Sequence, residues 1–361
     1  MNKLYKYRPL SEFLFKELLY QELYFASYSE LNDPLDLSAR IEFTAEKEEQ
    51  VGYLIKLLFK TTLIIPKTDI LTSEQNNNSN LIDFYKNKSA RFSFRKNIYN
   101  KLIQLKKEHR FIWIDSIVNV IIEVAQEEQI TFNINVINFK SELERLAKKF
   151  LENSFTTCFS STNKDFLMWS HYATKHSGIC LEFTLDHSGQ FPYLMKGKRK
   201  KDIDKYLQSD SKWEVDEIIF WDKIHQVDYQ DEQPYINFFD FLPVFDNEHN
   251  CDLIGLSKSW THKFAEELEL VFSTKTKPWS YEKEWRAIEI NFGEPQHPEE
   301  RIRHYPLEVL TGVYFGIRTP ENVKKRIHNI FNKLGKEIQF FDGKPTNGRD
   351  LDFEIWEDYD N

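Results

Sequence analysis

The chain has 361 residues, of which 41% are hydrophobic and 15% aromatic, including 30 Phe; this is the composition of a folded protein with room for a sizeable core, and it excludes disorder as the default. A net charge of −9 argues against a protein devoted to coating nucleic acid, because phosphate binding is driven by an excess of cations. No apolar run approaches the roughly 18 residues that span a bilayer, and the N-terminus lacks a basic segment leading into an apolar one, so a cytoplasmic protein with no membrane partner is expected.

The opening predicts strand, helix, strand: Leu4 to Arg8, then Ser11 as N-cap of a helix over Glu12 to Tyr20, then Glu22 to Ser27. Leu14, Phe15, Leu18 and Leu19 share one helix face, as packing on a sheet requires. Asn32-Asp33-Pro34 reads as a turn. From about Thr44 to Glu152 the pattern becomes helical, with apolar residues at helical spacing over Glu46 to Phe59, Ile98 to Lys107, Phe111 to Gln126 and Phe139 to Leu151, and a polar loop at Gln75 to Asn80.

Strand signals return at Ser154 to Ser160 and at Gly178 to Phe183, with a short helix between them at Lys164 to His171. A polar stretch from Gln190 to Ser211 follows, then a strand near Gln226 to Tyr229 and a helix over Ser257 to Val271. The last segment predicts strands at Glu284 to Asn291, Thr311 to Gly316 and Glu337 to Asp342, with a helix over Glu321 to Leu334. The expected fold class is α+β: a core with a mixed or antiparallel sheet from residues 1–43 and 153–345, a large helical insertion at 44–152, and an acidic C-terminal tail at 346–361.

Three cysteines, Cys158, Cys180 and Cys251, form no Cys-x-x-Cys motif and suit a reducing compartment. His171 and His176 lie near Cys158 and Cys180, but the spacing matches no paired zinc ligands, and no metal site is expected. With 11 glycines the chain carries neither Gly-x-Gly-x-x-Gly nor a Walker loop, which excludes those phosphate cradles. The basic run Lys196, Lys198, Arg199, Lys200 and Lys201 reads as a solvated loop or a phosphate contact.

The densest chemistry is Trp279-Ser280-Tyr281-Glu282-Lys283-Glu284-Trp285-Arg286. In a strand Glu282 and Glu284 point to one face, and two adjacent carboxylates are unfavourable unless they face solvent or serve a cleft. Such a pair suits cleavage of an N-glycosidic bond, where one carboxylate stabilises the oxocarbenium-like state and the other accepts a proton. Arg8, extended by Pro9 behind it, presents a fork for phosphate oxygens or forms an ion pair. Ser160, Ser161 and Thr162 close a strand and either hold a ribose or, through Thr162 or Asn163, cap the helix near Lys164. His171 and Tyr172 line the cleft or pack under it. Trp169 and Trp285 read more readily as core, and Trp279 and Tyr281 as pocket wall.

The blocks Lys6-Tyr7-Arg8-Pro9-Leu10, Leu23-Tyr24-Phe25-Ala26-Ser27, Asn32-Asp33-Pro34-Leu35-Asp36, Cys158-Phe159-Ser160, Met168-Trp169-Ser170-His171-Tyr172-Ala173, Gly178 to Phe183 and Tyr281 to Arg286 look like those of a poorly characterised bacterial domain family. The series Tyr-Arg, Phe-Ser-Ser-Thr and Glu-x-Glu is also similar to the arginine, serine and glutamate series of ADP-ribosyltransferases. That resemblance implies an ADP-ribosyltransferase-like sheet and NAD as substrate. Arg8 would then hold the NAD phosphates, Ser160 with Ser161 would support the nicotinamide ribose, Glu284 would be the catalytic carboxylate, and Glu282 would assist the acceptor. It further implies a macromolecular acceptor, protein or nucleic acid, and a toxin or antiviral effector. Ser160-Ser161-Thr162 departs from the usual Ser-Thr-Ser. Two other classes remain: a metal-dependent nuclease binding Mg²⁺ through Asp33, Asp36 and Glu284 with Lys275, and a non-catalytic nucleotide- or peptide-binding domain.

Overall fold

The computed structural model describes residues 3–37, 39–52, 54–55, 87–130, 140–141, 143–145, 154–185, 194–197, 215–219, 224–241, 268–269, 271–290, 296–348 and 350–358. Expectations for the loop at Gln75 to Asn80, for Cys251, for Lys198 to Lys201 and for most of the helices Phe139 to Leu151 and Ser257 to Val271 lie outside these residues.

In chain order the strands are β1 (Lys3–Arg8), β2 (Glu22–Tyr24), β3 (Ala26–Ser27), β4 (Arg40–Glu42), β5 (Ser154–Ser160) and β6 (Ile179–Thr184). They continue with β7 (Leu194–Gly197), β8 (Val215–Ile219), β9 (His225–Gln226), β10 (Asp228–Gln230), β11 (Tyr235–Asn237) and β12 (Thr274–Thr276). The last are β13 (Glu284–Ile290), β14 (Ile302–His304), β15 (Leu310–Phe315), β16 (Gln339–Pro345) and β17 (Leu351–Ile355). A nine-stranded sheet runs β17-β16-β15-β6-β1-β5-β13-β9, with β3 also on β5. All its neighbours are antiparallel except β15 and β16, which are parallel and joined across the helix Glu321–Lys333. The architecture is therefore α+β with a mixed sheet.

Alternation along the strands sorts the two faces. Leu4, Phe159, Leu181, Phe183, Ala287, Val313 and Phe315 meet Leu14 and Leu18 of the helix Glu12–Tyr20 and Ile327 and Phe331 of Glu321–Lys333. Tyr7, Cys180 and Tyr314 on the other face meet Met168 and Trp169 of the helix Phe166–Tyr172, and Leu351. Ser11 caps the first helix as expected, its side chain accepting from Leu14 N at 3.3 Å. The cap of Phe166–Tyr172 is Asp165 rather than Thr162 or Asn163; its Oδ1 accepts from Leu167 N at 2.8 Å and Met168 N at 3.1 Å. The helices Lys88–Glu108 and Ile114–Glu127 carry a separate core, in which Phe94, Ile98 and Leu102 recur every fourth residue and pack with Ile117, Ile121 and Val124.

Two segments differ from expectation. The single strand over Glu22 to Ser27 breaks at the buried Phe25, whose N–H bonds Arg301 O at 3.0 Å; β2 joins β14 in a smaller sheet and β3 joins β5. Leu351 to Ile355 is not a tail but the edge strand β17. Leu351 is buried and the Phe353 ring lies 5.9 Å from Trp169, while Asp352 and Glu354 face Lys164 and Lys344 on the outer side. The acidic residues alternate with apolar ones, and an edge strand needs only one apolar face.

Gly178 enters β6 against the end of β1: a Cβ there would stand 2.3 Å from Arg8 O. Gly178→Ala is expected to force β1 and β6 apart and to cost about 1–3 kcal/mol, read as a lowered midpoint in urea unfolding.

Candidate functional site

The site originates in a change of partner along β5. On the edge facing β1 and β3 the registered pairs are Tyr5 with Ser160, Ala26 with Thr156 and Ser27 with Phe155. Thr157, Cys158 and Phe159 lie between these pairs and face a gap in the sheet. A cavity of about 260 Å³ occupies it, bordered by Lys6 and Arg8 of β1, Ser160 of β5, Tyr172, and the acids Asp36, Glu282 and Glu284 with Lys275. Of the residues singled out from sequence, Arg8, Ser160, Tyr172, Glu282 and Glu284 border this cavity; Ser161, His171, Trp279 and Tyr281 do not. His171 is exposed, with Tyr281 6.2 Å from its ring centre and Trp279 6.2 Å further on.

Glu282 and Glu284 do not share a strand face by a two-residue period. Glu282 ends a 3₁₀ turn, Lys277–Glu282, that starts with Pro278 near its N-terminus; Lys283 then adopts left-handed φ 45° and ψ 49°, and β13 begins at Glu284. The left-handed residue, costly for a side chain with a Cβ, turns both carboxylates toward one point. Ser160 braces this turn, its Oγ donating to Glu282 O at 2.6 Å, while Ser161 N donates to Lys283 O at 3.0 Å.

That point is the ammonium of Lys275. It lies 2.7 Å from Glu282 Oε2, 3.2 Å from Asp36 Oδ2 and 3.3 Å from Glu284 Oε2, with the Trp279 ring centre at 4.7 Å. Behind it Arg286 is fully buried: Nε and Nη2 fork onto Glu284 at 2.7 and 2.9 Å, Nη1 and Nη2 fork onto Asp36 at 2.6 and 2.8 Å, and Nη1 also donates to Phe272 O at 2.8 Å. All five guanidinium donors and all three ammonium donors thus have acceptors. Tyr229 OH accepts from Glu284 N at 2.9 Å, and Tyr172 OH donates to Glu282 Oε1.

Three carboxylates facing two cations leave one anion in surplus. Burial, then the charge of Glu284, pushes Glu282 up to about 7. Burial alone would raise Glu284 as well, but Arg286 and Lys275 outweigh it and hold that carboxyl well below the ordinary range. Burial acts against the charge on Lys275, yet Glu284, Asp36 and Glu282 keep its ammonium firmly protonated. Burial, then Glu282, raises the Tyr172 phenol, so Tyr172 stays a donor.

Arg8 leaves β1 on the face of Leu4, opposite to Glu284, whose register partner Ser160 is in turn opposite Tyr5. Its guanidinium is forked onto Glu17 of the first helix, with Nε to Oε2 at 2.8 Å. Lys275 entered the sequence reading only as a metal-site residue, Asp36 as one and inside a family block, and Arg286 only inside a motif. The two-residue spacing of Glu284 and Arg286 within one strand is the signal that would have paired them. Among the described residues no group of three or more His, Cys, Asp or Glu is arranged to hold a metal ion.

A family model described as a protein of unknown function (DUF2971) matches residues 168–287. The match supports the resemblance to an uncharacterised family. Its span opens on the Met168 to Ala173 block and closes just past Arg286, so it contains Tyr172, Lys275, Glu282, Glu284 and Arg286, whereas Lys6, Asp36 and Ser160 lie before it. Comparisons with curated proteins and with solved structures gave no match.

Lys275→Met would leave three buried carboxylates without their shared cation and is expected to cost about 3–5 kcal/mol, with partial recovery when Glu282→Gln is added, as measured by urea unfolding. The titration of Glu282 sets a pH dependence. A carboxyl raised from the ordinary 4.5 to about 7 binds its proton more tightly in the folded state, so its contribution to stability is complete below about 4.5 and is lost as pH rises through about 7. Glu284 acts in the opposite sense, stabilising above the ordinary carboxylate range and losing that contribution in acid. Glu282→Gln is therefore expected to flatten the fall in Tm between pH 4.5 and 7; parallel curves for the two proteins would refute the shift.

Proposed function

We propose that the chain is an NAD-dependent mono-ADP-ribosyltransferase-like enzyme that breaks the nicotinamide N-glycosidic bond at the cavity in the sheet. The observation that carries this reading is the convergence of Glu282 and Glu284, held at opposite ends of the carboxyl range, on a hollow also bordered by Ser160. As the bond from the ribose C1′ to the pyridinium nitrogen breaks, its electron pair leaves with neutral nicotinamide. The ionised Glu284 faces the positive charge that develops on the sugar. The new bond forms between C1′ and a nucleophile whose proton passes to Glu282, a carboxylate with an affinity suited to accepting it near neutral pH. A volume of about 260 Å³ lies just below the usual small-molecule range of roughly 300–1,000 Å³ and suits the nicotinamide-ribose end of the dinucleotide.

The test is nicotinamide release from NAD. Glu284→Gln is expected to lower turnover by about 10²-fold or more. The wild-type rate should rise with pH through about 7, where Glu282 becomes able to accept a proton, and Glu282→Gln should lose that rise. Turnover that survives Glu284→Gln unchanged, in a protein shown to be folded by circular dichroism, removes the reading.

One observation favours a second reading, a metal-dependent nuclease: Asp36 and Glu284 do meet at Lys275. Against it, the Lys275 ammonium occupies the point between the carboxylates where a divalent cation would sit, and Asp33 Oδ1 is bonded to Leu35 N at 2.9 Å in its own turn. Loss of DNA or RNA that requires added Mg²⁺ would favour the nuclease over the transferase.

A further inference from the structure

Lys6 is half-buried and differs from the buried cations of the molecule. Lys275, Arg286, Arg301, Arg303 and Lys324 each face a carboxylate. The Lys6 ammonium instead reaches across the gap beside β5, donating to Thr157 Oγ1 at 2.7 Å and Cys158 O at 3.0 Å, with the Phe159 ring centre 5.1 Å away. No carboxylate lies within ion-pair distance of it among the described residues. An ammonium has three N–H donors, so one remains for the cavity that Lys6 borders. A cation partly withdrawn from water without a counter-ion is unfavourable, and an anion entering the gap would offset that cost.

We propose that Lys6, with the hydroxyl of Thr157 beside it, is the phosphate-binding subsite of this cavity, holding the pyrophosphate of a dinucleotide; the identity of the ligand rests on the NAD reading above. The role falls to Lys6 rather than Arg8 because Arg8 is already forked onto Glu17, and a bidentate pair must be broken before that guanidinium can serve a ligand. A compact ammonium on a flexible stem suits a phosphate that approaches along the gap.

Titration supports the geometry. Burial, then the charge of Arg8, brings the Lys6 ammonium down to about 8, so it is charged at neutral pH and discharges just above. The groups facing it are Arg8 on its own strand, Glu17 from the first helix, Cys158 from β5 and Glu284 from β13. Burial raises the Cys158 thiol, which therefore stays neutral through this range, and Glu284 stays ionised.

Isothermal titration of the full chain with ADP-ribose, inorganic pyrophosphate and nicotinamide riboside tests the assignment. Lys6→Gln is expected to weaken ADP-ribose and pyrophosphate at least tenfold and to leave nicotinamide riboside unchanged, while Lys6→Arg retains all three. Wild-type affinity for ADP-ribose, whose phosphates stay ionised throughout, should fall as pH rises through about 8, and Lys6→Arg should abolish that fall. The pH arm holds even if Lys6→Gln fails to fold. Unchanged ADP-ribose binding by folded Lys6→Gln, or a wild-type affinity flat across that pH range, overturns the subsite and leaves the NAD reading intact. Lys6-dependent binding of pyrophosphate without binding of ADP-ribose or NAD upholds the anion site and removes the NAD reading. Binding of none of these ligands by the wild type removes both.

Discussion

The ammonium of Lys275 neutralises carboxylates that arrive from distant stretches of the chain: Asp36 from the turn after the first strands, Glu282 from the 3₁₀ turn and Glu284 from the start of β13. Arg286 closes the group from behind by forking onto two of the three. Each cation satisfies all its donors, so the group behaves as one unit, and the removal of any member strands the others in a medium that solvates charge poorly. The surplus of one negative charge then falls on the member without the guanidinium. Glu282 is that member, and its hydrogen bond from Tyr172 carries the effect to the cavity wall.

The hollow itself follows from backbone pairing. On the edge away from β13, β5 is shared between β1 near Ser160 and β3 near Thr156, and no single partner runs the full length of that edge. Antiparallel strands that part in this way leave main-chain acceptors to be met by side chains, and the Lys6 bond to Cys158 O is one such substitution. Position and charge are therefore linked. The strand whose ladder is broken on one edge also carries Ser160, which braces the turn bearing Glu282.

Much of the frame was legible in the residues. The helix Glu12–Tyr20 and the strand Ser154–Ser160 fall where the sequence pattern and the Ser11 cap place them, because the helix buries one clear face and the strand is buried along almost its whole length. β17 was not legible, since Asp352 and Glu354 dominate its composition while only Leu351 and Phe353 decide its packing. At the site, the importance of Glu282 and Glu284 was visible from their spacing, but the manner of their meeting was not: it depends on a left-handed Lys283, a conformation that lysine does not advertise. The Asp36 to Arg286 bond joins residues 250 positions apart, and no local pattern encodes it. Arg8 shows the converse, since an extended arginine before proline reads as available until its partner on the adjoining helix is seen.

The junction between β1 and β5 has a mechanical consequence. Continuity across the middle of the sheet passes through one registered backbone pair and the reach of an amine, whereas the ladders on either side are complete. Such a seam has fewer backbone hydrogen bonds to resist bending than the blocks it joins. A molecule lodged in it would act as a wedge, fixing the angle between the half of the sheet that holds the glutamates and the half that ends in β17, so that occupancy at the centre would be felt as rigidity at the rim.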